Sequence, residues 1–216
     1  MELEIPTIGI SFIIAIVLSI IIIPILKRLK VGQVVREDGP KTHLSKQGVP
    51  TMGGIIMLIT IILLYIFNYN KYKEILPLVL YIISVGIVGF VDDFIKLILK
   101  NPKGLRPTYK MLGLLITAVG FIVYIVINEN LDKQMYIPIL KTTINVNNMI
   151  YIPFMIFIML ATTNSVNLTD GLDGLATGVV AIIMAFFTIV GIKNGMRRCN
   201  IYKQCINRNL FRFFDV

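Results

Sequence analysis

Apolar residues along this chain are gathered into six long blocks that polar segments separate. The blocks are about Ile8–Leu26, Met52–Phe67, Leu76–Val91, Met111–Ile127, Met149–Thr162 and Leu175–Ile192. A helix needs about 20 predominantly apolar residues to cross a bilayer, so blocks of this length predict membrane helices. Several blocks are shorter, and their ends must use flanking polar residues. The pattern predicts an all-α integral membrane protein with about six transmembrane helices.

The segment between the fourth and fifth blocks has a different pattern. Met135–Leu140 and Lys141–Val146 alternate weakly between apolar and polar residues. Alternation with a period of two is typical of β-strands, because successive side chains of a strand point to opposite faces. We therefore expect a short external β-hairpin between helices 4 and 5.

Composition supports a membrane protein. The chain is 56% hydrophobic and 15% charged, its mean hydropathy is +0.81, and a soluble domain carries about 25% charged residues. Glu2 and Glu4, rather than basic residues, precede the first block. This argues against a cleaved signal peptide and for a retained first helix.

The net charge of +9 is distributed unevenly between the polar segments. If the N-terminus is outside, the inner loops are Lys27–Pro50, Asp92–Lys110 and Thr163–Gly174, and the outer loops are Asn68–Ile75 and Asn128–Asn148. The inner loops hold eleven Lys or Arg residues and the outer loops four, as the positive-inside rule requires. No basic soluble module is present to bind nucleic acid, so we exclude that class. The charge therefore predicts a multi-pass protein whose basic loops face the cytoplasm.

The last segment breaks this pattern. Lys193–Val216 adds six Lys or Arg residues on the side that should be outside. It also contains Cys199 and Cys205, whose spacing matches no common metal pattern. We divide the chain into a membrane-embedded core, residues 1–195, and an atypical basic tail, residues 196–216. We expect the tail to result from a frame shift or a truncation.

The predicted third helix ends in the run Gly89-Phe-Val-Asp-Asp-Phe-Ile-Lys96, which contains two adjacent acids. Lys96 lies one helical turn beyond Asp92 and shares its face. Mg²⁺ prefers one or two carboxylates together with water and phosphate oxygens. The alternative is a charged helix end that only fixes membrane depth. The pair Asp92 and Asp93 is our candidate for a metal and phosphate site.

A second polar cluster interrupts the apolar half of the chain. It reads Asn164-Ser-Val-Asn-Leu-Thr-Asp-Gly-Leu-Asp-Gly-Leu-Ala176. A carboxylate at the bilayer centre costs about 3 kcal/mol, so acids at the mouths of membrane helices are functional candidates. The glycine after each acid lets backbone and ligand approach closely. We expect this cluster to bind a ligand.

Two basic loops complete the set of candidate motifs. Arg36–Gly54 contains Lys41 and Lys46 and ends in Pro50-Thr-Met-Gly-Gly54; taken alone, it is an ordinary cytoplasmic loop. Asn101–Lys110 brings three further Lys or Arg residues near the two acids. Acids and bases are thus predicted on one membrane face, as a metal–diphosphate site requires.

These motifs resemble the phospho-N-acetylmuramoyl-pentapeptide transferases, a bacterial family in the polyprenyl-phosphate sugar-1-phosphate transferase superfamily. The matching segments are Arg36–Gly54, Val91–Lys96 and Asn164–Ala176, and with the helix pattern the resemblance covers about residues 1–195. Other members of the superfamily share the acid pair but match the other two segments less well. The resemblance implies Mg²⁺-dependent transfer of phospho-N-acetylmuramoyl-pentapeptide from UDP to undecaprenyl phosphate. The products would be lipid I, a peptidoglycan precursor, and UMP.

The resemblance also implies roles for individual residues. Asp92 and Asp93 would be the catalytic carboxylates and candidate Mg²⁺ ligands, with Asp92 a candidate base for the lipid phosphate. The implied substrate-binding residues are Lys46, Thr51, Lys96, Asn164, Asn167, Asp170 and Asp173. The resemblance further implies the bacterial cytoplasmic membrane, an active face toward the cytoplasm, and a homodimer.

The sequence departs from the family pattern in its last part. Members are longer, and their later part supplies a third essential Asp and a His-rich loop. Here no carboxylate follows Asp173 until Asp215, and no histidine follows His43. We therefore expect the chain as it stands to be an impaired enzyme.

Two alternatives stay open at this point. One is a sibling transferase that uses UDP-N-acetylglucosamine as its donor. The other is a membrane interaction or transport protein that uses the acids within the membrane for ions and has no enzymatic activity. The donor requirement separates the first from our leading prediction, and ion flux without phosphoryl transfer would favour the second.

Overall fold

The computed structural model describes residues 4–28, 52–70, 72–97, 104–128, 134–137, 142–170 and 174–193. Helices dominate these residues, as the sequence predicted, and a short 3-10 turn, Lys73–Ile75, precedes the third helix. The elements in chain order are α1 Glu4–Arg28, α2 Gly54–Phe67, α3 Leu76–Leu97, α4 Pro107–Asn128, β1 Gln134–Ile137, β2 Thr142–Asn145, α5 Asn148–Thr169 and α6 Leu175–Lys193.

Four helices are long and apolar enough to cross a bilayer, judged by length and composition. They are Pro6–Arg28, Lys73–Leu97, Pro107–Asn128 and Asn148–Thr169; α2 and α6 are apolar but shorter. Many large apolar side chains on these helices are exposed, and Phe12 on α1 is 67% exposed. Lipid tails accept such surfaces, whereas water does not. The prediction of a multi-pass, all-α membrane protein is confirmed, and six spans remain a prediction.

The two strands lie in the interval where the sequence predicted a hairpin. They pair antiparallel, with Gln134 opposite Asn145 and Ile137 opposite Thr142. Each strand thus satisfies backbone groups of the other between two apolar helices. The location of this hairpin on the outer face of the membrane remains a prediction.

Helix ends differ from the prediction at the polar motifs. The loop bounds that we used for the charge count, Asp92–Lys110 and Thr163–Gly174, begin inside helices, because α3 continues to Leu97 and α5 to Thr169. The run Gly89–Lys96, which we predicted at the end of the third helix, does lie at the end of α3. In α5 the polar side chains find acceptors within the helix, so they do not have to end it. Thr163, Asn164 and Thr169 each donate a hydrogen bond to the carbonyl four residues earlier. The predicted loop boundaries were therefore wrong in these segments.

In α3 the polar residues also support each other one turn apart. Lys96 pairs with Asp92, and the rings of Phe90 and Phe94 lie 6.0 Å apart between centroids. Pairs at this spacing stabilise a helix, so α3 does not end where its apolar block ends. The candidate acids consequently lie within the last two turns of a helix.

The structure divides into two compact units, Met1–Thr117 and Ala118–Val216, and each is described by itself. In the first unit α1 packs on α2 and α2 packs on α3. Leu26 and Met52 form a buried cluster, against which Ile22, Ile55 and Leu97 pack. This cluster joins the end of α1, the start of α2 and the end of α3, and so fixes the helix end that carries Asp92.

Met52 also has an unusual backbone. Its φ angle is +67°, a left-handed conformation that costs a residue with a side chain roughly 1–2 kcal/mol. Burial of the Met52 side chain in the cluster offsets this cost. Such strain often lies at functional segments, and here it lies within the Pro50–Gly54 motif.

Glycines allow close helix packing in the first unit. A Cβ atom at Gly86 on α3 would lie 2.6 Å from Leu58 Cδ1 on α2, and one at Gly113 on α4 would lie 3.1 Å from Val88 Cγ2 on α3. Small residues at such contacts are a common device of membrane helices.

The two glycines of α3 provide a stability test. Gly86→Ala should be less stable than Gly89→Ala by about 1–3 kcal/mol, because the first overpacks against Leu58 while no described atom lies within 4 Å of a Cβ at Gly89. Unfolding of both variants in the same detergent measures this difference. Equal stabilities would contradict the packing between α2 and α3.

In the second unit α5 and α6 contact each other. The side chain of Asn147 caps α5 by accepting a hydrogen bond from the Met149 backbone N–H at 3.2 Å. Tyr151 on α5 and Val190 on α6 are buried.

The predicted division into residues 1–195 and 196–216 is untested, since the tail lies outside the described residues.

Candidate active site

The first unit places a buried carboxylate among three donors. Asp92 is 6% exposed. Its Oδ2 accepts hydrogen bonds from Lys96 Nζ at 2.6 Å and from Lys110 Nζ at 3.4 Å. Its Oδ1 accepts one from the Leu105 backbone N–H at 2.9 Å. Both oxygens of Asp92 are therefore engaged.

The local sequence explains why these groups meet. Asp92 and Lys96 are four residues apart in one helix, in the order that suits the helix dipole. Pro107 is the first residue of α4, where its fixed φ and missing N–H are tolerated. The backbone N–H groups of Tyr109 and Lys110 bond to the Arg106 carbonyl. Lys110 thus lies in the first turn of α4 and reaches the end of α3.

Gly104 connects the two helices at the site itself. It is buried and has a φ of +63°, a conformation that glycine adopts readily and other residues avoid. A Cβ atom at Gly104 would lie 2.5 Å from Lys96 Cε and 2.6 Å from Asp92 Oδ1. Both the backbone and the available space therefore require glycine here.

Asp93 differs from its neighbour. It is half-buried, and no hydrogen bond or ion pair from the described residues reaches its carboxylate. Gly89, one turn earlier on the same face, has no described heavy atom within 4 Å of a Cβ position. The face of α3 that carries Asp93 is therefore uncovered by described side chains at the turn of Gly89.

This donor set fits Mg²⁺. The ion is commonly held by one or two carboxylates, with water and substrate phosphates in its other positions. The carboxylate of Asp93, which receives no bond from the described residues, meets the requirement for one carboxylate, whereas the oxygens of Asp92 already have donors. Among the residues that the structure describes, no group of three His, Cys, Asp or Glu side chains could hold a metal, so a closed protein cage is not formed there.

The second unit carries the other polar cluster on the last turns of α5. Asn164 is half-buried, and Asn167 and Asp170 are exposed. The amide nitrogen of Asn164 donates to the Leu160 carbonyl at 2.8 Å. Asp170 follows the last residue of α5, where the partial negative charge of the helix end disfavours an acid. A cationic or N–H donor ligand would relieve that repulsion.

The structure joins some of the predicted site residues. It brings Asp92 and Lys96 together, with Asp93 adjacent, and it places Asn164, Asn167 and Asp170 on one helix end. The predicted residues Lys46, Thr51 and Asp173 lie outside the described residues.

The sequence analysis did not predict two members of the site, and it did not predict that a third one contacts Asp92. Gly104 and the Leu105 backbone N–H were not predicted, and Lys110 was taken only as part of a basic loop. The available signal was a glycine shortly before a proline that begins a helix. That signal predicts a turn, but it does not say which side chain the turn contacts.

Comparison with known proteins identifies the family. The model of the family described as Glycosyl transferase family 4 matches residues 75–207, more than half of the chain. The chain belongs to this family. The match begins just before α3, so it includes the acid pair of the first unit and the polar residues at the end of α5 in the second unit.

Curated relatives are phospho-N-acetylmuramoyl-pentapeptide-transferases. The chain is 45% identical to that of Acetivibrio thermocellus over 84% of this chain and 55% of the relative. It is 46% identical to that of Caldanaerobacter subterraneus over 84% of this chain and 57% of the relative. It is 38% identical to that of Clostridium novyi over 99% of this chain and 66% of the relative. The chain therefore spans a little over half to about two thirds of the curated relatives it matches.

Proposed function

We propose that this chain contributes to the transfer of phospho-N-acetylmuramoyl-pentapeptide from UDP to undecaprenyl phosphate, giving lipid I and UMP. The proposed place is the cytoplasmic face of a bacterial cytoplasmic membrane. The observation that carries the proposal is the acid pair at the end of α3, with two lysine ammonium groups on one of its carboxylates. The names of the curated relatives support the same reaction.

Charge explains why this arrangement suits the reaction. A lipid phosphate must approach a diphosphate, so two anionic groups have to meet in line. Lys96 and Lys110 lie beside Asp92 and supply positive charge at the end of a membrane helix. Positioned cations lower the energy of developing negative charge more in a dry site than in water. The site therefore favours phosphoryl transfer over chemistry on neutral substrates.

The two acids have different partners, which supports different roles. We propose Asp93 as the carboxylate that faces metal and substrate, because its oxygens have no bond from the described residues. Asp92, the second acid of the proposed catalytic pair, holds both lysines and so positions their positive charge for the phosphates. This division departs from the expectation that Asp92 acts as the base. Mg²⁺, when bound, would neutralise phosphate charge and align the two phosphates.

The other predicted residues would bind the donor. In this proposal Asn164, Asn167 and Asp170, at the end of α5, accept or donate hydrogen bonds to the nucleotide part of the donor. Lys46, Thr51 and Asp173 have the same proposed function. A homodimer also stays a proposal.

A hybrid protein tests this function. In it, the segment of the Acetivibrio thermocellus relative that matches this chain is replaced by this chain, because the chain covers 55% of that relative. We expect the purified hybrid to form lipid I from UDP-N-acetylmuramoyl-pentapeptide and undecaprenyl phosphate. Formation should stop with a metal chelator and resume when Mg²⁺ is added.

The same assay decides between the alternatives. Turnover with UDP-N-acetylglucosamine but not with the pentapeptide donor would favour the sibling transferase. Ion flux through vesicles that contain the full chain, without transfer by the hybrid, would favour a transporter. A folded, membrane-inserted hybrid that transfers neither sugar would contradict the proposed function.

A further inference from the structure

We propose that the Gly104–Leu105 turn is a positioning element of the candidate active site. It fixes the Asp92 carboxylate, and through it the ammonium groups of Lys96 and Lys110, so that Asp93 is the open acid. The catalytic purpose of this positioning rests on the proposed function. The positioning itself is a property of the folded chain and can be measured without turnover.

Space around Gly104 is the first support. The position of its missing Cβ is 2.5 Å from Lys96 Cε, 2.9 Å from Lys96 Cγ and 2.6 Å from Asp92 Oδ1. Real Cβ atoms do not approach other heavy atoms so closely, so any larger residue must displace the lysine stem, the carboxylate or the turn. The turn therefore leaves no space for a side chain between Gly104 and the Asp92–Lys96 ion pair.

The backbone of the turn is the second support. At a φ of +63° Gly104 directs the next peptide group toward α3, and the Leu105 N–H donates to Asp92 Oδ1 at 2.9 Å. A buried carboxylate with one oxygen bonded to a fixed N–H has little freedom to rotate. Its other oxygen, Oδ2, is then held where both lysines reach it.

The third support is electrostatic. Two ammonium groups on a single carboxylate oxygen repel each other, and the carboxylate keeps them together only while it stays in place. If Asp92 rotates or the turn moves away, at least one lysine loses its partner. Gly104 and Leu105 thus act through Asp92 on the two lysines.

Lysine labelling of the full chain in lipid nanodiscs tests the positioning. An amine-reactive reagent is applied for a short time, and modification of Lys96 and Lys110 is measured by mass spectrometry relative to Lys73 in the 3-10 turn before α3. In Gly104→Ala we expect relative labelling of Lys96 to rise about threefold or more, since it loses a charge-assisted hydrogen bond. Asp92→Asn should raise labelling of both lysines.

Matched controls separate position from strain. Gly174 also has a positive φ, +79°, but no described atom lies within 4 Å of its Cβ position. Gly174→Ala should therefore leave the labelling of Lys96 and Lys110 unchanged. Gly104→Asn adds a Cβ but tolerates the left-handed backbone, so it should behave like Gly104→Ala and also serves if the alanine variant fails to fold.

The labelling experiment tests whether the Gly104–Leu105 turn positions Asp92. Lipid I formation by the hybrid tests whether this positioning serves catalysis. Unchanged Lys96 labelling in folded Gly104→Ala or Gly104→Asn would overturn the inference. With labelling raised, we expect Gly104→Asn to lower kcat in the hybrid more than it raises KM for the donor. Raised labelling with an unchanged kcat would support the positioning of Asp92 by the turn but would contradict its role in catalysis. An inactive unsubstituted hybrid would overturn the proposed function and, with it, that purpose, whatever the labelling shows.

Discussion

Asp93→Asn is expected to lower the rate of lipid I formation by the hybrid protein by about 100-fold or more, since metal binding and positioned charge contribute at least that much to such reactions. The substitution keeps the size of the side chain and removes its charge. Asp93 is half-buried and its oxygens receive no bond from the described residues. The fold should therefore lose little stability while the site loses the acid that we propose faces metal and phosphate.

Initial rates at saturating donor and lipid phosphate measure this effect, with thermal unfolding recorded for each variant. Glu74→Gln is the matched control, because Glu74 is an exposed acid in the 3-10 turn at the start of α3. We expect it to retain the unsubstituted rate. A folded Asp93→Asn hybrid with an undiminished rate would remove Asp93 from the active site.

The sequence predicted most of the fold. The six apolar blocks correspond to α1–α6, because a bilayer demands long apolar runs and leaves few alternatives. Helix ends were harder to predict. The polar residues after Val91 and Thr162 resemble loops by composition, yet they form helix through pairs such as Asp92–Lys96 and through bonds such as that from Asn164 to the Leu160 carbonyl. Local hydrogen bonding, which hydropathy does not measure, sets these boundaries.

The candidate site was predictable only in part. The spacing of Asp92 and Lys96 predicts their contact, since residues four apart in a helix are neighbours. No spacing rule predicts that Leu105 donates its N–H to Asp92, because that contact depends on how the turn between α3 and α4 folds. The different partners of Asp92 and Asp93 have the same origin. Adjacent acids look alike in sequence, and only the packing of the turn on one of them separates their roles.

Asp92→Ala should give the largest loss of stability among single substitutions at the site. It leaves the Leu105 N–H without its acceptor and removes the anion between two ammonium groups. Breaking a fully buried pair costs about 3–5 kcal/mol. Lys96 is 39% and Lys110 22% exposed, so hydration of their ammonium groups offsets part of this cost. We expect a loss of about 2 kcal/mol in the free energy of unfolding.

A double-mutant cycle distinguishes this explanation from a simple loss of packing. If Asp92 holds Lys96, the double variant Asp92→Ala/Lys96→Ala should be more stable than the sum of the single effects predicts, by about 1 kcal/mol. Glu74→Ala, at an exposed acid of the same unit, should change stability by no more than about 0.5 kcal/mol. Strictly additive effects would show that the carboxylate and the lysine act independently. A coupled result would show that the charge at the end of α3 is organised before any substrate binds, as a site for two phosphates requires.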